Sequence, residues 1–155
     1  MLEIKEMLPQ DEAAVLPMVN GFYHSDAVDH QVDEKILRKT FLDAVSGDCP
    51  ALRGVTLWEG EKMVGFAYLT TFYACEVGGV TVMLEEIYLD DSCRGKGYGT
   101  EFFQWMFREY PGAARFRLEV TGDNDRAARL YEKLGFRFLE YRQMVLEGDL
   151  NVPSR

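Results

Sequence analysis

Leu84-Glu85-Glu86-Ile87-Tyr88-Leu89-Asp90-Asp91-Ser92-Cys93-Arg94-Gly95-Lys96-Gly97-Tyr98-Gly99-Thr100 is the stretch on which the fold turns. Its first part closes a long run, Val80 to Leu89, with apolar residues on both faces, as expected of a strand covered on both sides. Its last part leads into Thr100–Tyr110, where Phe102, Phe103, Met106, Phe107 and Tyr110 recur at helical spacing until Pro111. The turn between them alternates Gly95, Gly97 and Gly99 with larger residues. Glycine lets the chain turn sharply and lets other groups approach the main chain closely. The free N–H groups at the start of a helix favour an anion such as a phosphate, and Arg94 and Lys96 add positive charge beside it. A Walker loop is excluded because Gly97, not Ser or Thr, follows Lys96, and the spacing is GxGxG where a dinucleotide fingerprint needs GxGxxG. Taken alone, such a turn is weak evidence for a phosphate site and reads first as an ordinary flexible connection.

Working outward, Arg115–Val120 alternates, with Phe116, Leu118 and Val120 on one face and Arg115, Arg117 and Glu119 on the other. A helix starts at Asp123 or Asn124, runs to Leu134 and is closed by Gly135. Phe136–Leu146 reads as one bent or two short strands. Upstream, Met63–Phe72 and Val55–Trp58 read as strands joined by a turn at Glu59-Gly60-Glu61, and Gly78-Gly79 marks another turn. Asp33 caps a helix with Ile36, Leu37, Thr40, Phe41, Ala44 and Val45 in one stripe, ended by Gly47 and Pro50. Asp11–Tyr23 is helical, with Pro17 expected to kink it or delay its start, and Leu2–Met7 is a first strand. The order is β-α-α-β-β-β-α-β-α-β-β. The strand–loop–helix–strand section is a crossover unit, so part of the sheet is parallel. Residues 1–147 form one domain and 148–155 a short tail.

The chain has 155 residues, 47% of them apolar, enough for one packed core. No run approaches ~18 apolar residues, and the N-terminus lacks the basic start and apolar stretch of a secretory signal, so no membrane span is expected and the expected location is cytoplasmic. Cys49, Cys75 and Cys93 are odd in number and widely spaced, and His24 and His30 are the two histidines; neither a disulfide framework nor a metal site is expected. A net charge of −9 argues against a nucleic-acid partner. It suits either a cationic small substrate or simple solubility.

Three motifs in order resemble the GNAT superfamily of acetyl-CoA-dependent N-acetyltransferases. Arg94-Gly95-Lys96-Gly97-Tyr98-Gly99 matches the signature Arg/Gln-x-x-Gly-x-Gly/Ala. Leu84–Leu89 matches the strand that enters it, and Asn124-x-x-Ala127-x-x-x-Tyr131-x-x-x-Gly135-Phe136 matches the second coenzyme segment. The resemblance covers about residues 52–146; the first fifty agree in element order alone. It implies an α/β (α+β) GNAT fold with a mixed central sheet of six to seven strands and about four helices. It also implies acetyl-CoA as co-substrate. Main-chain amides from Gly95 through Lys96, Gly97, Tyr98 and Gly99 to Thr100 would bind the pyrophosphate, with Arg94 beside them. Leu89 would pair with the pantetheine arm along Tyr88, and Ile87 would lie near the thioester. Asn124, Ala127 and Tyr131 would flank the arm; Asn124 and Tyr131, seven apart, share a helix face.

Acetyl transfer needs a neutral amine, whereas alkylamines are protonated near pH 7, so a base must take a proton. Glu85 and Glu86 are the candidates. Strict alternation puts Glu85 with Met83, Ile87 and Leu89, and Glu86 with Tyr88; a bulge, frequent there in the family, would alter this. Polyamine-type members carry a similar Leu-Glu-Asp stretch with Glu at the position of Glu85. Glu85 is therefore the expected base and Tyr131 the expected general acid to the CoA sulfur. Cys93 lacks a nearby sequence partner and reads as packing.

The connection from Phe22 to His30, with Tyr23, His24 and Asp26, borders the acceptor site in this family; Glu86, Tyr73 and Glu76 are further candidates for acceptor contacts. An ordinary polar loop is the competing reading. The leading function is acetylation of a small cationic amine: a polyamine, amino sugar or amino acid derivative. Acetylation of a protein N-terminus or lysine, and a non-catalytic acyl-CoA-binding module, are the alternatives. A homodimer is the expected assembly if the late strands pair.

Overall fold

A computed structural model describes residues 1–25, 27–28 and 31–148. Five strands form one sheet in chain order: β1 (Glu3–Glu6), β2 (Leu52–Glu59), β3 (Lys62–Ala74), β4 (Gly79–Leu89) and β5 (Arg115–Leu118). The first three pairings are antiparallel, joined between β2 and β3 and between β3 and β4 by turns whose Gly60 and Gly78 hold φ of 60° and 65°. The last pairing, β4 with β5, is parallel because a helix crosses between them. The helices are α1 (Glu12–Tyr23), α2 (Glu34–Ser46), α3 (Tyr98–Glu109) and α4 (Asp125–Lys133).

Alternation along the central strands gives the sheet two apolar faces. Leu57, Ala67, Leu69, Val82 and Leu84 pack on Phe102, Phe103 and Met106 of α3. Met7, Phe66 and Tyr68 pack on Val15, Val19 and Phe22 of α1 and on Leu37 and Phe41 of α2. Local chemistry sets the helix ends. The Asp33 carboxylate accepts the Lys35 N–H at 2.8 Å, and Gly47 closes α2 with φ 78°. Pro17 lies inside α1 without delaying its start; its side of the helix is exposed.

Three expectations are corrected. The mixed α/β sheet with four helices stands, but among the described residues it has five strands where six to seven were expected. No strand forms within residues 136–148. After Gly135 (φ 96°) the chain folds back, so that the Phe136 N–H bonds the Tyr131 carbonyl at 2.9 Å and its ring packs on Phe103. Beyond it Phe138, Tyr141, Met144, Val145 and Leu146 are exposed, and apolar residues without a hydrogen-bonded neighbour do not make a strand. The expected strand Arg115–Val120 also stops early, at Leu118. No helix among the described residues is long and apolar enough to cross a membrane.

Candidate functional site

The site begins at an irregularity in β4. Its register against β3 jumps from Tyr68↔Glu86 to Leu69↔Leu84, leaving Glu85 as an extra residue. Such a bulge bends the strand and re-aims side chains. On its other edge, β4 pairs with β5 from Thr81↔Arg115 to Leu84↔Leu118 and no further. The two strands part at the bulge. The gap opens into a cleft of about 1010 Å³, walled by Leu84–Ile87 on one side and by Leu118–Thr121, Asn124, Ala127 and Tyr131 on the other.

The bulge brings both glutamates to the α1/α2 face. Glu86 stands opposite Tyr68, which packs on that face. Glu85 reaches Thr70, whose hydroxyl donates to Glu85 Oε1 at 2.6 Å. Ile87 and Leu89 return to the α3 face. The environments of the two carboxyls differ. Glu85 is exposed, whereas Glu86 is largely enclosed and accepts a 2.5 Å hydrogen bond from the Tyr23 hydroxyl at Oε1. Glu86 Oε2 and the neighbouring Tyr68 hydroxyl are buried with no partner among the described residues. Burial pushes the Glu86 carboxyl from 4.5 up to about 7; the Tyr23 bond opposes the rise and the nearby Glu85 charge adds to it. Burial, then the bond to Glu86, pushes the Tyr23 phenol well above its ordinary value.

The parting of the strands also frees main-chain groups. The Asp90 N–H bonds the Val64 carbonyl at 2.8 Å, which marks Val64 and Asp90 as a hydrogen-bonded pair. Antiparallel alternation then directs the main chain of Tyr88 and Glu86 toward β3, and that of Ile87 and Leu89 toward the edge that β5 has left. The Tyr88 ring lies on the α1/α2 face, stacked on Phe66 at 6.2 Å.

Just beyond this edge, Asp91–Cys93 makes one 3₁₀ turn, capped by Asp90 on the Ser92 N–H, and the glycine loop begins. Arg94, Gly95, Lys96 and Gly97 are exposed. Gly95 and Gly97 hold φ of 76° and 81°, and a Cβ at either would meet nothing within 4 Å. The loop therefore faces open space, and the conformation itself calls for glycine. Gly97 is the N-cap of α3, whose first N–H groups, from Tyr98, Gly99 and Thr100, have no acceptor within the helix. A Cβ on Gly99 would come within 2.9 Å of Leu130, so α3 and α4 approach closely there. Both loop cations have partners: Arg94 pairs with Asp91, and Lys96 reaches Glu59 of β2 at 2.8 Å. The Tyr98 hydroxyl donates to the same Glu59 oxygen.

Across the cleft, Asn124 caps α4 by accepting the Ala127 N–H at 3.3 Å. Tyr131, one face further along, packs edge-on against Phe103 at 5.5 Å and lines the cleft; burial pushes its phenol up. Among the expected acceptor residues, Tyr23 and Glu86 meet in the cleft wall. His24 follows α1 with Nδ1 2.7 Å from the Asn20 carbonyl, in a shallower hollow beside the cleft. Tyr73 is exposed near the other end of β3, and Glu76 binds Arg115 at 3.1 Å. Asp26 lies outside the described residues. Sequence reasoning did not single out Thr70, Glu59 or Arg117. The signal for Arg117 was the alternation of Arg115–Glu119, which sets the arginines on the face opposite Phe116 and Leu118.

Residues 19–136 match the Acetyltransferase (GNAT) family. Over 96 residues, 59% of this chain, the sequence is 38% identical to the mycothiol acetyltransferase of Corynebacterium efficiens, covering 29% of that protein. The chain thus spans less than a third of that relative's length. Over 142 residues it is 27% identical to the thialysine N-epsilon-acetyltransferase of Mus musculus, covering 85% of this chain and 82% of that one. A possible acetyltransferase from Clostridium difficile superposes with a TM-score of 0.78 at 19% identity, over 96% of this chain and 99% of that chain. A structure from Clostridium acetobutylicum, described as a predicted acetyltransferase with acetyl-CoA, gives 0.75 at 14% identity, over 94% and 96% of the two chains. At such identities the structural likeness speaks for the fold. The family match covers well over half of the sequence, and this chain belongs to the acetyltransferase (GNAT) family.

Proposed function

We propose that this protein is an acetyl-CoA-dependent N-acetyltransferase that acts on the primary amine of a small molecule. The observation that carries the reading is the succession, along β4 and the loop it enters, of an enclosed carboxyl, a freed strand edge and an open glycine turn. These residues fit coenzyme A. The open turn at Gly95–Gly97 and the first N–H groups of α3 would hold the diphosphate, and the main chain of Ile87 and Leu89 would meet the amide-bearing arm. When bound, acetyl-CoA supplies an acetyl group activated as a thioester.

Glu86 is the better placed of the two carboxyls to take the proton that the amine loses. A carboxyl near 7 is substantially ionised at neutral pH yet holds a proton well, which suits a base working there. Glu85, the base implied by the family resemblance, is exposed and bonded to Thr70; it adds negative charge that draws a cationic amine toward its neighbour. Tyr23 orients Glu86 from the end of α1. Tyr131, which lines the other wall of the cleft and keeps its proton at neutral pH, would donate it to the departing sulfur.

Calorimetry with CoA, followed by thiol release from acetyl-CoA over an amine panel, tests the reading. Binding with turnover on small amines is expected. A folded protein that ignores CoA refutes it, and binding without turnover on any amine leaves a non-catalytic module.

A further inference from the structure

The acceptor side of the cleft holds charges of both signs. β5 faces β4 in the register Thr81↔Arg115 and Met83↔Arg117, so both arginines stand on the α1/α2 face that carries Glu85 and Glu86. Both arginines line the cleft. They are not equivalent. Arg115 is held by Glu76 at 3.1 Å, whereas Arg117, half-buried, has no ion pair or hydrogen bond among the described residues. Partial burial of a guanidinium without a counter-charge is unfavourable, and a planar fork of five donors matches a carboxylate in two-point fashion.

The coenzyme's phosphates do not account for this charge. Their turn begins beyond Leu89, whereas Arg117 stands opposite Met83. Six residues at ~3.3 Å each put about 20 Å of strand between them. The distance to the glutamates is much shorter. One strand spacing of ~4.8 Å and two to three residues along β4 separate the main chains by on the order of 8–11 Å. Side chains reaching inward from both ends leave room for a molecule with an amine and a carboxylate a few bonds apart.

We infer that Arg117 is an anion seat in the acceptor chamber, and that the acceptor is an amine carrying a carboxylate, an amino-acid-type molecule and not a simple polyamine. This rests on the acetyl-transfer reading above. The amine end lies at Glu86, where its proton is taken, and the carboxylate end at Arg117, which sets the orientation. Glu85 and Arg117 together select for the zwitterion: a plain diamine leaves Arg117 unpaired, and a plain carboxylate meets the repulsion of two glutamates.

The test compares amino acids with the amines left when their carboxylate is removed, lysine against cadaverine and ornithine against putrescine, in wild type and Arg117→Gln. A charge-assisted contact worth a typical amount gives the carboxylated member of each pair a kcat/KM about 10- to 100-fold higher, expressed mainly in KM. In Arg117→Gln the ratio within each pair falls to about one. Equal kcat/KM within the pairs for wild type, absence of turnover on every carboxylated member, or an unchanged ratio in Arg117→Gln overturns the inference. Calorimetry with CoA on the same two proteins separates the failures. CoA binding with turnover confined to diamines removes the anion seat and leaves acetyl transfer standing, whereas a wild-type protein that does not bind CoA removes both.

Discussion

The Tyr23 hydroxyl donates a 2.5 Å hydrogen bond to Glu86 Oε1, tying the last residue of α1 to the bulge of β4. This bond joins two residues 63 positions apart and fixes one carboxylate oxygen. The other oxygen is enclosed without a partner among the described residues. The carboxyl is thereby held between two tendencies: burial favours its neutral form and Tyr23 favours its charged form.

Activity is expected to rise with pH along a limb centred at about 7, as the Glu86 carboxyl ionises. Glu86→Gln is expected to lower kcat by 100-fold or more, on the order of the contribution of general base catalysis, and to abolish that limb. A pH–rate profile measured where chemistry limits turnover checks both. An intact limb in Glu86→Gln would place the base elsewhere, with Glu85 the first residue to examine.

The same carboxyl shapes stability with a definite sign. Its folded-state value is raised, so the folded protein holds the proton more tightly than the unfolded chain. That contribution is fully present below about pH 4.5 and is lost as the pH rises through about 7. Glu86→Gln should therefore gain stability relative to wild type as the pH rises from 4.5 through about 7, by up to about 3 kcal/mol, with no further change above that. Thermal denaturation at several pH values reads this directly.

Tyr23→Phe removes the donor that favours the charged carboxylate. The acidic limb should move to higher pH by about one pH unit, the equivalent of the lower end of the ~1.5–3 kcal/mol that a charged hydrogen bond contributes. Turnover at pH 6.5 falls accordingly and is largely restored at pH 9. A uniform loss at all pH values would instead indicate disruption of the end of α1.

Glu59 holds both Lys96 Nζ and the Tyr98 hydroxyl at the glycine turn. Glu59→Gln leaves Lys96 available to an anion. The expected result is a CoA dissociation constant severalfold lower, with a steeper dependence on salt, since the new attraction is exposed and screened. Calorimetric titrations at two ionic strengths measure both.

A Cβ on Gly65 would lie 2.1 Å from the Tyr88 carbonyl oxygen, a main-chain atom that cannot swing aside. Gly65→Ala is expected to destabilise the fold by roughly 1–3 kcal/mol, the usual cost of overpacking, with a fall in Tm of ~2–4 °C per kcal/mol.

Local signals carried much of this molecule. The stripe of Phe102, Phe103 and Met106, the caps Asp33 and Asn124, and the stops at Gly47 and Gly135 are short-range chemistry, and each marked a helix the structure contains. The glycine turn was legible because its residues announce an unusual backbone before any contact is known. The faces of Glu85 and Glu86 were not, because they depend on how β4 registers against β3, a relation between segments. The early end of β5 is of the same kind: Glu119 and Val120 continue the alternation but leave the neighbouring strand. Phe136–Leu146 misled for the converse reason, rich in apolar and aromatic residues but without an adjacent strand to bond. That Arg117 has no ion pair or hydrogen bond among the described residues appears only once those side chains are placed.

The last shared register, Leu84↔Leu118, has a consequence for the resting protein. Past it the sheet is one ribbon short, and the amides of Ile87 and Leu89 trade their hydrogens with water until something lies alongside. An amide-bearing arm laid along this edge would complete the ladder and stiffen the sheet as it bound.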